Sequence, residues 1–224
     1  MKKLMLLPLA TILASTFAVQ AAPASMTQNF DYISGGLQIS KFSNDVVSSA
    51  NFNNFSGSTT DGAAGLYLRG SWNFTDNFFF EFRGDAAASD DMVFSNGLMG
   101  LGYFMPINDD LTVYGLAGFS NYRYDLDVNT PVGTIGGSHD DSGLTAEIGA
   151  RYQVMDRWMI EPAVRMAAYD DTMYELRLGN NVKVSEHMSI EANLSYMDFN
   201  NNASRIDTMV EKETNFQLGA RYSF

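Results

Sequence analysis

The residues in this sequence that could do hydrolytic chemistry fall in three short groups: Asp90-Asp91, His139-Asp140-Asp141 and Asp170-Asp171. An acid and a base drawn together from such groups could activate a water molecule. Ser138 adjoins His139, as nucleophile and base do in a covalent mechanism, but no third acid is singled out to orient the imidazole. Adjacent residues of an extended strand point to opposite sides, so these neighbouring pairs suit a shared site poorly. With 2 His and no Cys the chain lacks a ligand set for a structural transition metal. No catalytic, cofactor-binding or metal-ligating residue is expected, and the protein is read as a non-enzyme without a cofactor.

The elements that would position these groups are strands. Ten stretches read as extended, at 30–42, 63–74, 78–88, 94–105, 111–124, 143–154, 158–168, 173–184, 188–199 and 214–224. In the clearest of them apolar and polar residues alternate. Leu66, Leu68, Trp72 and Phe74 oppose Tyr67, Arg69, Ser71 and Asn73, and Leu144, Ala146, Ile148 and Tyr152 oppose Thr145, Glu147 and Arg151. A period of two repeated this often excludes helix. Stretches 94–105 and 111–124 are oily on both faces, so their facing is open. Pro162 removes a ladder hydrogen bond and predicts a bulge or local weakness, and Asn180 breaks the oily row of Leu176, Leu178, Val182 and Val184.

Connections alternate in length. Thr75-Asp76-Asn77, residues 106–110, Met155-Asp156-Arg157 and Ser185-Glu186-His187 are short, whereas 43–62, 125–142 and 200–213 are long and rich in Asn, Ser, Gly and Asp. Short turns on one rim and long loops on the other describe a transmembrane barrel. Aromatics including Phe30, Tyr32, Trp72, Phe74, Phe78, Tyr152, Trp158, Tyr222 and Phe224 gather toward the short-turn rim, where an interfacial belt is expected.

The two ends of the chain agree with export to a membrane. Lys2 and Lys3 precede a mostly apolar run to Val19, and Val19-Gln20-Ala21 suits a signal peptidase, giving a signal segment 1–21 and a barrel domain 22–224. That run is too short and too broken to be a convincing span, and no long apolar stretch follows. A membrane protein built from the remainder must be a barrel, because lipid leaves no other way to satisfy the backbone. The expected fold is an all-β, antiparallel up-and-down transmembrane barrel of ten strands, with eight as the alternative.

Charge sorts by place. The inward faces carry Arg69, Glu81, Arg83, Asp85, Glu147, Arg151, Glu161, Arg165, Glu175, Arg177, Glu191 and Arg221, a nearly balanced set that can fill the lumen with ion pairs or line a narrow pore. The net charge of −12 falls mainly on the long-loop side, which would repel nucleic acid and anions.

The signal segment, the strand rhythm, glycine-aromatic stretches such as Val113-Tyr114-Gly115-Leu116-Ala117-Gly118-Phe119 and the ending Tyr222-Ser223-Phe224 resemble small Gram-negative outer-membrane β-barrel proteins of the OmpA-transmembrane, OmpX and opacity kind. Gln217, Gly219, Tyr222 and Phe224 are similar to the C-terminal insertion signal of such barrels. The resemblance implies location in the cell outer membrane, among lipid and lipopolysaccharide. It also implies handling by periplasmic chaperones and the barrel assembly machinery, and surface ligands of host or envelope origin. The leading function is a structural or surface-interaction role through the acidic outer loops, the first alternative a narrow pore for small solutes or ions. An omptin-like protease, which would use the Asp and His groups above, is the second alternative.

Overall fold

The structure, a computed structural model, describes residues 25–47, 59–89, 92–130, 133–199 and 210–224. The expected signal segment 1–21 lies outside the described residues, as do Asp90 and Asp91. Ten antiparallel strands make up the described chain: β1 Tyr32–Val47, β2 Thr59–Thr75, β3 Phe78–Ser89, β4 Met92–Asn108, β5 Leu111–Thr130, β6 Gly133–Met155, β7 Trp158–Ala168, β8 Thr172–Lys183, β9 Met188–Asp198 and β10 Lys212–Ser223. Each pairs with its neighbour in sequence, and β1 closes on β10 from Tyr32↔Ser223 to Phe42↔Glu213. Closure leaves no edge across the lipid-facing band, which is the condition for a sheet to sit in hydrocarbon.

Burial is inverted relative to a protein that faces water on all sides. Leu144 is 73% and Ile148 66% exposed, while the largest fully buried side chain is Arg151 at 0%. Leucines on the outside and arginines inside are stable when the outer solvent is lipid. The outward rows begin and end in aromatics: Trp72, Phe74, Phe78, Tyr103, Tyr152, Tyr222 and Phe224 near the short-turn end, and Tyr174, Tyr196 and Phe216 toward the other.

Three expectations need correction. Phe30 and Tyr32 do not join the outer belt; both are buried inside the short-turn mouth. Residues 125–142 are not a loop, because β5 and β6 continue as a paired hairpin from Asn121↔Ser142 to Thr130↔Gly133. Glycines and aspartates weaken the alternation there, and backbone pairing carries the strands onward. The supposed turn 106–110 shrinks to Asp109-Asp110, with a register shift beside Pro106. Pro162 gives the local weakness and not the bulge: the rungs between Gly149↔Ala163 and Tyr152↔Ile160 are missing with the register the same on either side, and the β6–β7 register shift falls farther along, between Gln153 and Met155.

Candidate functional site: the filled lumen and the outer hairpin

The lumen is stacked in layers. At the short-turn end Phe30, Phe79, Leu98, Phe104, Tyr114 and Leu116 form an apolar cluster. At the other end Phe42, Phe94, Tyr122, Tyr169, Met197, Phe199 and their neighbours form a second. These two inward clusters explain why the sequence of β4 and β5 looks oily on both faces. Met99, Leu101, Tyr103 and Phe119 face lipid, while Leu98, Phe104, Tyr114 and Tyr122 fill the lumen.

Between the clusters lies a network of charges, positioned by the inward parity of each strand. Glu161 accepts Arg69 Nη2 at 2.6 Å, Arg151 Nε at 3.0 Å, Arg177 Nη1 at 3.0 Å and the Tyr114 hydroxyl at 3.3 Å. Glu147 takes both Nη atoms of Arg83 at 2.6 Å and Arg177 Nη2 at 2.8 Å. Glu81 accepts Arg69 Nε at 3.1 Å and bonds also to Arg83 and the Tyr32 hydroxyl. Farther out, Arg165 pairs with Glu175 across the β7–β8 register, while nearer the short-turn mouth Arg221 Nε donates to Glu191 at 2.7 Å. Asp85 differs from these carboxylates, being bonded by Gln38 Nε2 at 3.1 Å and Asn96 Nδ2 at 3.4 Å. Several donors converge on each of Glu81, Glu147 and Glu161, which is the geometry that offsets the cost of taking buried charges out of water.

The short-turn mouth is closed by a segment the sequence reading did not single out. Ser25–Gln28 turns on a Gln28 amide to Ser25 carbonyl bond of 3.0 Å, and Thr27 reaches the Asp109 carbonyl at 3.3 Å. Arg151 Nη1 donates to the Asn29 carbonyl at 2.7 Å. The Phe30 ring then stacks on Phe104, with centroids 4.4 Å apart. Asp31 accepts the Asn73 amide at 2.7 Å; burial raises its carboxyl above the usual range and that bond pulls the other way. The signal available in the sequence was Phe30, an aromatic ahead of the first polar-alternating strand residues.

Residues of the C-terminal motif divide between the two faces. Tyr222 and Phe224 are exposed, with rings 6.4 Å apart, and His187 lies 5.7 Å from the Tyr222 ring. Gln217 turns inward and donates to Gln38 at 2.7 Å. Gly219 sits on the β1–β10 seam, where any Cβ would collide with the Gly35 carbonyl and crowd the Tyr67 hydroxyl.

At the outer end His139 Nε2 lies 3.1 Å from Asp141 Oδ2, two residues along one strand face, and not against adjacent Asp140. Its ring is 5.3 Å from Tyr124. Among the described residues no group of three His, Cys, Asp or Glu is disposed to hold a metal ion.

A closed barrel with a lipid-facing apolar band and aromatic ends is an integral membrane β-barrel. The chain belongs to the outer membrane protein beta-barrel domain family, which it matches over residues 9–174, and it is an outer-membrane protein. Among solved structures it resembles the outer membrane protease OmpT of Escherichia coli at 10% identity, covering 87% of this chain and 97% of that one with a TM-score of 0.55. Ail, the attachment invasion locus protein of Yersinia pestis, is 14% identical over 86% of this chain and 97% of its own, with a TM-score of 0.44. OprG of Pseudomonas aeruginosa is 15% identical over 88% and 97%, with a TM-score of 0.39. At these identities the likeness is one of fold, and the neighbours include attachment, protease and porin-like proteins. No curated protein matches the chain.

Proposed function

We propose that this protein is a non-conducting, non-enzymatic outer-membrane barrel whose outer end serves surface interaction. The observation that carries this reading is the β5–β6 hairpin. Strand β6 pairs with β7 only from Thr145↔Ala167 inward, yet it pairs with β5 out to Gly133. Its other edge, from Gly133 to Ser142, therefore has no strand partner among the described residues and lies beyond the apolar band. An open edge is a template for an added strand. Asp140 and Asp141 on β6 and Asp125 on β5 make the hairpin acidic and favour partners with basic side chains. The filled lumen supports the same reading, since buried ion pairs and two apolar clusters occupy the path a solute would take.

Biogenesis follows the usual logic in this proposal: residues 1–21 are removed as a signal, and Tyr222 and Phe224 are read by the insertion machinery before the band meets lipid and lipopolysaccharide. The test is to replace residues 125–138 by an Asn-Gly turn. The shortened barrel should still show a heat-dependent gel shift, while cells displaying it lose attachment to epithelial and matrix-coated surfaces. Unchanged attachment would sink the proposal. Discrete current steps from the unaltered protein in planar bilayers would favour the pore reading in its place.

A further inference from the structure

The proposed surface role leaves a polar residue on the lipid face without a use. Asn180 stands in the outward row of β8 between Leu178 and Val182, which are 41% and 44% exposed, while its neighbour Asn181 is buried in the lumen. Aromatic residues bracket the row, since Val182 pairs with Trp158 on β7 and Leu176 with Tyr196 on β9. Asn180 therefore lies inside the apolar band.

Its cross-strand neighbours are Ile160 on β7 and Ala192 on β9. Neither side chain can answer an amide, and that of Asn180 has no hydrogen-bond partner among the described residues. Water would satisfy the group. Hydrocarbon does not, and a polar group left unpaired there is costly.

The surface around Asn180 is low. Ala192 beside it is small, and on its outer side an apolar hollow is bordered by Ala150, Pro162, Val164 and Leu178. Between transmembrane helices, small residues let two surfaces approach closely and polar side chains then bond across the contact. The same physics holds for strands in lipid. An acyl chain could fill the hollow but would leave the amide unmet. A primary amide both donates and accepts, so its natural complement is another primary amide. A two-fold axis sets a residue against its own copy and supplies that complement from one sequence.

We infer that the protein pairs with a second copy of itself in the membrane through β7, β8 and β9, with the two Asn180 side chains joined by reciprocal hydrogen bonds. A two-fold axis along the membrane normal beside β8 keeps both barrels in the orientation that the membrane imposes. Because β7 and β9 flank β8 in the closed sheet, this axis lays β9 of each copy against β7 of the other. Leu194 and Tyr196, 49% and 38% exposed, then face the hollow beside Pro162 of the second copy.

The chain has no cysteine, so a single introduced thiol reports one position. Leu178→Cys protein in isolated outer membranes should oxidise to a covalent dimer of twice the chain mass. Leu101→Cys on β4, across the barrel from β8, should stay monomeric. Adding Asn180→Leu to Leu178→Cys should cut the dimer at least tenfold, while the heat-dependent gel shift shows that the barrel still folds. The unaltered protein should sediment in density-matched detergent as a monomer–dimer equilibrium. Equal cross-linking with and without Asn180, equal cross-linking at Leu101, or an adduct of another mass would overturn the inference. So would a monomer at every concentration, a result that needs no variant to fold.

Discussion

The guanidinium carbon of Arg151 lies 3.6 Å from the centre of the Phe30 ring, and the same side chain donates to the Asn29 carbonyl at 2.7 Å. One residue of β6 thereby holds the N-terminal segment in the short-turn mouth through both its backbone and its aromatic ring. Phe30→Ala should cost about 3–5 kcal/mol, the usual range for deleting a buried phenylalanine. Amides at 28–31 should exchange faster by hydrogen exchange, while those of β8 and β9 keep their protection. Loss of protection throughout the barrel would show that the segment is part of the global fold and not a separate stopper.

Glu161 is the hub of the lumen, since it accepts three arginines and a tyrosine. Removing one partner of a buried charge group leaves the others uncompensated, at a cost of about 3–5 kcal/mol. Glu161→Gln should therefore lower the urea midpoint of the barrel in lipid vesicles far more than Asp141→Asn, which touches a single partly exposed pair outside the lumen network. Equal effects of the two substitutions would contradict the hub.

A lumen with this filling should be electrically silent. In planar bilayers the folded protein is expected to give no discrete steps. Arg151→Ala, which unlatches the mouth but leaves Glu81, Glu147 and Glu161 with their other arginines, should also stay silent. Steps from that variant alone would make the N-terminal segment the only barrier.

The strands were legible because lipid on one side and ion pairs on the other impose opposite chemistries at a period of two, as at Leu144, Ala146 and Ile148 against Thr145 and Glu147. Arginine and glutamate marked the inward parity for the same reason. The pairing partners were not legible. Glu161 meets Arg69 on β2, 92 positions away, a relation that only closure of the barrel creates. Phe30 was misplaced because an aromatic near a membrane surface fits a belt and a plug equally well. The outer hairpin escaped because Asp125, Asp127, Gly133, Gly136, Gly137, Asp140 and Asp141 break up residues 125–142, so no hydrophobic pattern announces a strand.

Gly219 was read as part of an insertion signal, and the structure gives it a second duty at the seam. A methyl group there would press on the Gly35 backbone of β1, and backbone cannot yield as a flexible side chain does. Gly219→Val should slow or prevent closure of β10 on β1, seen as loss of the heat-dependent gel shift. Tyr222→Ala, which projects outward, should leave the gel shift of pre-folded protein intact and affect only the rate of insertion. If Gly219→Val folds normally, the seam tolerates more separation than its register indicates.

The missing rungs beside Pro162 weaken the β6–β7 seam. Proline has no amide hydrogen to give, so the pair it would form with Ala150 is lost and the adjoining Arg151–Glu161 rung goes with it. On the lipid side the gap lies under an apolar hollow bordered by Ala150, Pro162, Val164, Leu176 and Leu178. Pro162→Val restores a donor and fills part of that hollow. It should stabilise the barrel by about 0.5–1.5 kcal/mol, the net worth of a regained hydrogen bond, and slow exchange of the Arg151 and Ala163 amides in particular. Faster exchange there would mean that the proline ring itself, and not the absent bond, shapes the seam.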